Sequence, residues 1–116
     1  MTEVTSKEEQ LYKQIALLQK RVFGQGWPRD LNTAIATYVQ YIHVEATEAL
    51  QETNFKHHKE IKPINMSALQ EEIADLWIYI HAMAGVTFES YEAFLSVIEA
   101  KVKKNEIRKD WDINNE

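Results

Sequence analysis

Apolar residues recur every three or four positions along most of the chain, which is the period of a helix packed on one side. Four such segments are separated by breaks rich in glycine, proline or polar residues. The first is predicted to run from about Ser6 to Phe23, where Ser6 and Glu9 have the form of a capping box. Leu11, Ile15, Leu18 and Val22 make its apolar stripe. Gly24-Gln25-Gly26-Trp27-Pro28 ends it. Asp30 or Asn32 caps the second segment, which reaches about Thr53 with Leu31, Ile35, Tyr38, Val39, Ile42, Ala46 and Ala49 turned inward. A connector from Asn54 to Asn65 follows. Ser67 with Gln70 opens the third segment, which ends near Gly85. Between Ile73 and Ala84 it is apolar nearly all round, so it is predicted to be the most buried. Thr87 or Ser90 starts the fourth, lined by Phe88, Tyr91, Phe94, Leu95, Ile98 and Val102 and fraying near Trp111.

These segments predict an all-α protein, an antiparallel four-helix bundle. The whole of 1–116 reads as one domain with polar tails at 1–5 and 112–116. A domain of this size leaves much apolar surface outside a single core, so self-association is expected. The net charge of −5 argues against nucleic acid as a partner, since a phosphate backbone asks for a basic face. The lack of cysteine excludes disulfides, thiolate metal sites and cysteine nucleophiles. No apolar run approaches the ~18 residues of a membrane helix. Residues 1–10 lack the apolar core of a signal peptide, so a cytoplasmic location is expected.

Charge changes the picture on two helices. Glu45 and Glu48 are three residues apart on the second, and Glu72 and Asp75 are three apart on the third. That spacing puts each pair on one helix face. At about 100° per residue, Glu45 falls inside the apolar arc and Glu48 at its edge. Glu72 lies at the edge of the next helix's apolar face, with Asp75 just outside. A carboxylate on a core-facing stripe is costly unless something compensates it. Four converging carboxylates cannot all stay ionised without a cation. Oxygen-only ligands select a hard ion, Mg2+ or Mn2+. A di-iron bundle would require Glu-x-x-His pairs. None exists, because Gln40, Asn54, Phe55 and Ile78 stand three residues before His43, His57, His58 and His81.

Lys101, Lys104 and Arg108 form a cationic stripe on the fourth helix, with Asn105 on the apolar seam. A metal cluster beside a cationic stripe suits a polyphosphate. Lys56-His57-His58-Lys59 is a cationic connector able to close over phosphates. Trp27 is placed either to stack on a base or to plug the end of the bundle. His81, like Trp77, reads as core.

Taken together, these residues resemble the MazG-like all-α nucleoside triphosphate pyrophosphatases, and among them the short relatives of the dimeric dUTPases. The resemblance is carried by Glu45-x-x-Glu48 followed by Glu72-x-x-Asp75. It is supported by Gly24-Gln25-Gly26-Trp27, Phe55-Lys56-His57-His58-Lys59, Glu72-Ile73-Ala74-Asp75-Leu76-Trp77 and Asn105-Glu106-Ile107-Arg108. His58 departs from the family's second aromatic, and Lys109-Asp110-Trp111 replaces its usual glycine–tyrosine pair. The resemblance implies that Glu45, Glu48, Glu72 and Asp75 hold Mg2+, with Glu48 orienting the attacking water and Glu45 beside it. It implies phosphate contacts from Lys101, Lys104, Arg108 and Lys56, base or sugar contacts from Asn105 and Gln19, and assembly into a homodimer or homotetramer; Trp27 and His57 are further candidates for the base or sugar. The reaction implied is (d)NTP plus water to (d)NMP plus pyrophosphate, with dUTP the favoured substrate and dCTP or dGTP the alternatives. A different class of reading is a helical interaction module without catalysis.

Overall fold

A computed structural model describes residues 6–54 and 60–107. Among them there are four helices and no strand: α1 (Lys7–Phe23), α2 (Leu31–Gln51), α3 (Met66–Thr87) and α4 (Tyr91–Glu106). The predicted tails lie outside the described residues.

Each helix starts where a short polar side chain can take up an unpaired backbone N–H. Ser6 Oγ accepts from Glu9 N at 3.1 Å, and Asp30 Oδ1 accepts from Thr33 N at 2.8 Å. Ser90 Oγ accepts from Ala93 N at 3.1 Å. The start of α3 differs from expectation. Asn65 caps it, its Oδ1 accepting from Ala68 N at 3.1 Å, and Ser67 is already inside the helix. The helix also runs two residues past Gly85. A lone glycine costs a helix only about 1 kcal/mol against alanine, which the apolar turns around it outweigh. At Gly24, φ is +103°, a conformation that favours glycine, and α1 ends there.

The core lies where α3 packs on α2, and to a smaller extent on α1. Ile15, Ala34, Tyr38 and Ala82 form its centre, with Phe23, Trp27, Trp77 and Ile78 against it. Helices α2 and α3 run antiparallel: Tyr38 shares the core with Ala82, and one turn on Tyr41 meets Tyr79 at 5.2 Å. A second cluster joins Tyr12, Ala84 and Tyr91 with Phe88 and Phe94.

Three expectations are corrected. The buried face of α1 is Tyr12, Ile15 and Gln19, whereas Leu18 and Val22 are exposed. Aromatic residues draw the helix round: Tyr12 packs on Tyr91 at 5.2 Å, and Gln19 bonds to Tyr38. Nor does α4 close a four-helix bundle within one chain. It meets the rest through its first turn, by Tyr91 and Phe94, and Leu95, Ile98 and Val102 stay exposed. Helix α3 is less buried than its composition predicts, since Ile73 is 54 % exposed. It lines a groove of 630 Å³ with Leu11, Ile15 and Leu18 of α1.

Ala34 has no exposed surface and faces Ile15, Tyr38 and Ala82. Ala34→Leu is expected to cost about 1–3 kcal/mol by overpacking, read as a lower urea midpoint at unchanged slope. A neutral result would place the core elsewhere.

Candidate metal centre

Antiparallel packing of α2 on α3 brings Glu45 opposite the turn that carries Glu72 and Asp75. One carboxylate oxygen from each of the three lies within 4.8 Å of the other two. Glu45 Oε2 and Glu72 Oε2 are buried and have no hydrogen-bond partner. An unpaired buried carboxylate oxygen is costly, and two facing each other add like-charge repulsion.

The titration of these groups shows the strain. Burial pushes the Glu45 carboxyl up to about 7, and a proton shared with Glu72 and the Glu48, Asp75 and Glu72 charges push the same way. Glu72 is held down by accepting from Glu45. Burial and the charges of Glu48 and Asp75 outweigh that, and it too lies above its ordinary value. Tyr79, one turn after Asp75, is raised by burial and by the Glu45 and Asp75 charges.

The donor set fits a hard divalent cation. It is all oxygen, it is short of positive charge, and two of its oxygens are buried without a partner. Glu48 is not part of the triad. It is exposed, yet near enough for its charge to act on Glu45 and Glu72, so it stands at the rim.

The other expected residues fall in different places. Lys101 and Lys104 are exposed on α4, and the charges acting on Glu45 and Glu72 do not come from them. Asn105 is half-buried near the end of the same helix. Lys56, His57 and Arg108 lie outside the described residues. The ends of the Lys56–His57 connector are held together, because Asn54 Nδ2 donates to Lys62 O at 2.9 Å and Asn54 Oδ1 accepts from Lys62 N at 3.0 Å. Gln19 is buried, and its Oε1 accepts from Tyr38 Oη at 3.0 Å. Trp27 stacks on Phe23 at 4.3 Å and donates from Nε1 to Tyr38 Oη at 2.8 Å, which makes it a brace between α1 and α2. His81 is a core residue: it is buried, stacked on Trp77 at 3.7 Å, and hydrogen-bonded through Nδ1 to Trp77 O at 2.8 Å. Burial lowers its pKa, against the opposing pull of that carbonyl. Tyr79, which senses the Glu45 and Asp75 charges, was not expected at the site, nor was Tyr41, which packs on it at 5.2 Å.

A family model described as dUTPase matches residues 7–113, nearly the whole chain. The chain belongs to the dUTPase family. Membership in this dUTPase family implies a hydrolase acting on nucleoside triphosphates. No curated protein and no solved structure matches the chain. Among the described residues, no helix is long and apolar enough to cross a membrane.

The raised Glu45 carboxyl sets a pH dependence. A folded pKa of about 7 against an unfolded value near 4.5 favours the protonated fold. That stability is fully present below pH ~4.5 and is lost as pH rises through about 7. In metal-free protein the melting midpoint is therefore expected to fall across this window. Saturating Mg2+ is expected to abolish the fall, adding about 2.7 kcal/mol at a hundred times its Kd. Glu45→Gln should remove both the pH dependence and the Mg2+ response; a variant that keeps both would show that the triad is not the ion site.

Proposed function

We infer that the protein is a Mg2+-dependent deoxynucleoside triphosphate pyrophosphohydrolase of the MazG-like superfamily, with dUTP as its preferred substrate and Mn2+ able to replace Mg2+. The observation that carries this reading is the convergence of Glu45, Glu72 and Asp75 with two buried, unpartnered oxygens, in a chain of the dUTPase family.

Glu45, Glu72 and Asp75 would hold the cation. When bound, it would supply positive charge to the phosphate oxygens and acidify the attacking water. Glu48, exposed at the rim, would orient that water and take its proton as the oxygen attacks the α-phosphorus. The bond from the α-phosphorus to its bridging oxygen breaks, and pyrophosphate leaves. Lys101, Lys104, Arg108 and Lys56 are the cations assigned to the phosphates, and Asn105, Gln19 and His57 the residues assigned to the nucleoside.

Assembly completes this reading. Leu95, Ile98 and Val102 on α4, and Leu18 and Ile73 on the α1–α3 groove, are apolar and exposed in a single chain. A homodimer or homotetramer covers them and gives Lys101 and Lys104 a route to the carboxylates of a second copy. A cytoplasmic location is part of the same proposal.

Incubation with Mg2+ and a panel of nucleoside triphosphates should yield monophosphate and pyrophosphate, fastest from dUTP. Glu48→Gln is expected to lower kcat by about 10²–10⁴-fold while Mg2+ still raises the melting midpoint. Full turnover in that variant would remove Glu48 from the reaction. No turnover of any nucleotide by the folded wild type would leave a helical interaction module as the reading. For the assembly, Ile98→Glu is expected to shift the protein to monomer in analytical ultracentrifugation and to lower turnover with it; a wild type that is already monomeric and active would overturn the shared site.

A further inference from the structure

Helix α4 is fastened to the rest of the chain at one end, and a histidine sits at the fastening. Tyr91 and Phe94 of its first turn pack into a cluster with Tyr12 of α1 and Ala84 of α3, while Leu95, Ile98 and Val102 further along stay exposed. Within reach of this cluster lies His81, 7 % exposed. Its ring stacks on Trp77 at 3.7 Å and is met by Phe94 at 5.4 Å, Tyr91 at 6.2 Å and Tyr12 at 6.4 Å. Rings from three helices thus surround one imidazole, and two of those rings belong to the first turn of α4.

The hydrogen on this ring is placed by its hydrogen bond. A carbonyl can only accept, so Nδ1, 2.8 Å from Trp77 O, carries the hydrogen. Nε2 is then the basic nitrogen, and it has no hydrogen-bond partner among the described residues. Protonation there makes a second donor and a full charge inside a wall of carbon. The titratable groups facing the ring are the phenols of Tyr12 on α1 and Tyr91 on α4. Burial raises both above the ordinary tyrosine range, so both stay neutral. Helix α3 presents Trp77, which does not titrate. Glu8 and Glu9 on α1 act on Tyr91 but not on His81. Stacking on Trp77 returns part of what an imidazolium would lose, but a cation with so little exposure loses more in hydration. Burial accordingly holds the ring below its ordinary 6.5, against the pull of the Trp77 carbonyl.

We propose that His81 is a proton-operated latch for α4: its neutral ring holds Tyr91 and Phe94 against α1 and α3, and protonation at Nε2 releases them so that the charge reaches water. The α4 side is the one that gives way. Trp77 shares a helix with His81, and α1 is held independently by Ile15 in the main core, whereas α4 meets the rest of the chain through this cluster. The fold prefers the neutral ring, so the latch is fully closed above pH 6.5 and opens as pH falls below it. That is opposite in sign to the Glu45 carboxyl, whose contribution is lost as pH rises through about 7. The latch does not rest on the nucleotide reading; on that reading, release would carry Lys101 and Lys104 away with the helix.

The test is amide hydrogen exchange at the start of α4, with an NMR titration of the imidazole, both on the full chain. The Phe94 amide, bonded to Ser90 O at 3.2 Å, and the Leu95 amide after it report the seating of the helix. Their protection, corrected for the intrinsic pH dependence of exchange, is expected to fall about fivefold to tenfold between about pH 7.5 and about pH 5.5. Protection of Tyr38 and Tyr79, between α2 and α3, should not fall with it. His81 is expected to titrate below 6.5 in the folded chain. His81→Phe keeps a ring on Trp77 and takes no proton, so its protection on α4 should be level across the same range, with circular dichroism showing that it is folded. An imidazole that titrates at or above 6.5 would overturn the proposal. So would level protection in the wild type, or an equal fall in folded His81→Phe. Should that variant not fold, the wild-type titration and exchange decide between the same outcomes.

Discussion

Everything at the centre of this protein depends on the meeting of carboxylates between α2 and α3. Helix packing normally drives such groups to the outside, because each buried oxygen without a partner loses its hydration. Here the same interface that carries the largest share of the packing also carries Glu45 and Glu72. The apolar and aromatic contacts of Tyr38, Ala82, Tyr41 and Tyr79 hold the helices close enough that the acidic groups cannot separate. The fold thus stores unfavourable charge at one place, and a cation is the simplest group that relieves it. A hydrophobic substitution there would stabilise the bundle and abolish the reason for it.

The sequence made much of this legible. Helical period and polar caps located all four helices to within a few residues, because those signals are local. The carboxylates were legible from angle as well as spacing: Glu45 falls on the arc of Tyr38 and Ile42, so burial of α2 had to carry it inward. What was not legible is which surface covers which. The stripe through Leu11, Ile15, Leu18 and Val22 and the face through Tyr12, Ile15 and Gln19 are both helical and share only Ile15. Only the aromatic partners on α2, α3 and α4 decide between them. The same limit applies to α4, whose apolar residues are periodic whether the covering surface belongs to this chain or to another. At α3 the error was one of competing caps: Ser67 with Gln70 matches a capping box, but Asn65 reaches Ala68 N first and starts the helix earlier.

The roles of Gln19 and Trp27 show why a motif is weaker than a geometry. Gln19 was expected beside the nucleoside on the strength of resemblance, and Trp27 either against a base or as a plug at the end of the bundle. The structure ties them to each other through Tyr38, a residue with no motif of its own. A buried hydroxyl between an obligatory donor and an amide is a directional element. It carries information about polarity that no spacing of letters in the chain contains.

The charge balance ties the two ends of the site together. The chain carries a net charge of −5, and its carboxylate cluster is negative wherever Glu45 is ionised. A triphosphate approaching that cluster is repelled unless positive charge intervenes. On the proposed function, cation and nucleotide would each raise the affinity of the other, since a coupling between two ligands is reciprocal. The lysines on α4 would act in the same sense, but from an exposed helix that its own chain covers only at the first turn. A single chain thus keeps its negative centre and much of its positive charge on different elements. Binding a polyanion rewards whatever brings the two together, so on the proposed function substrate binding and the packing of α4 would be linked by the same electrostatics that crowds the carboxylates.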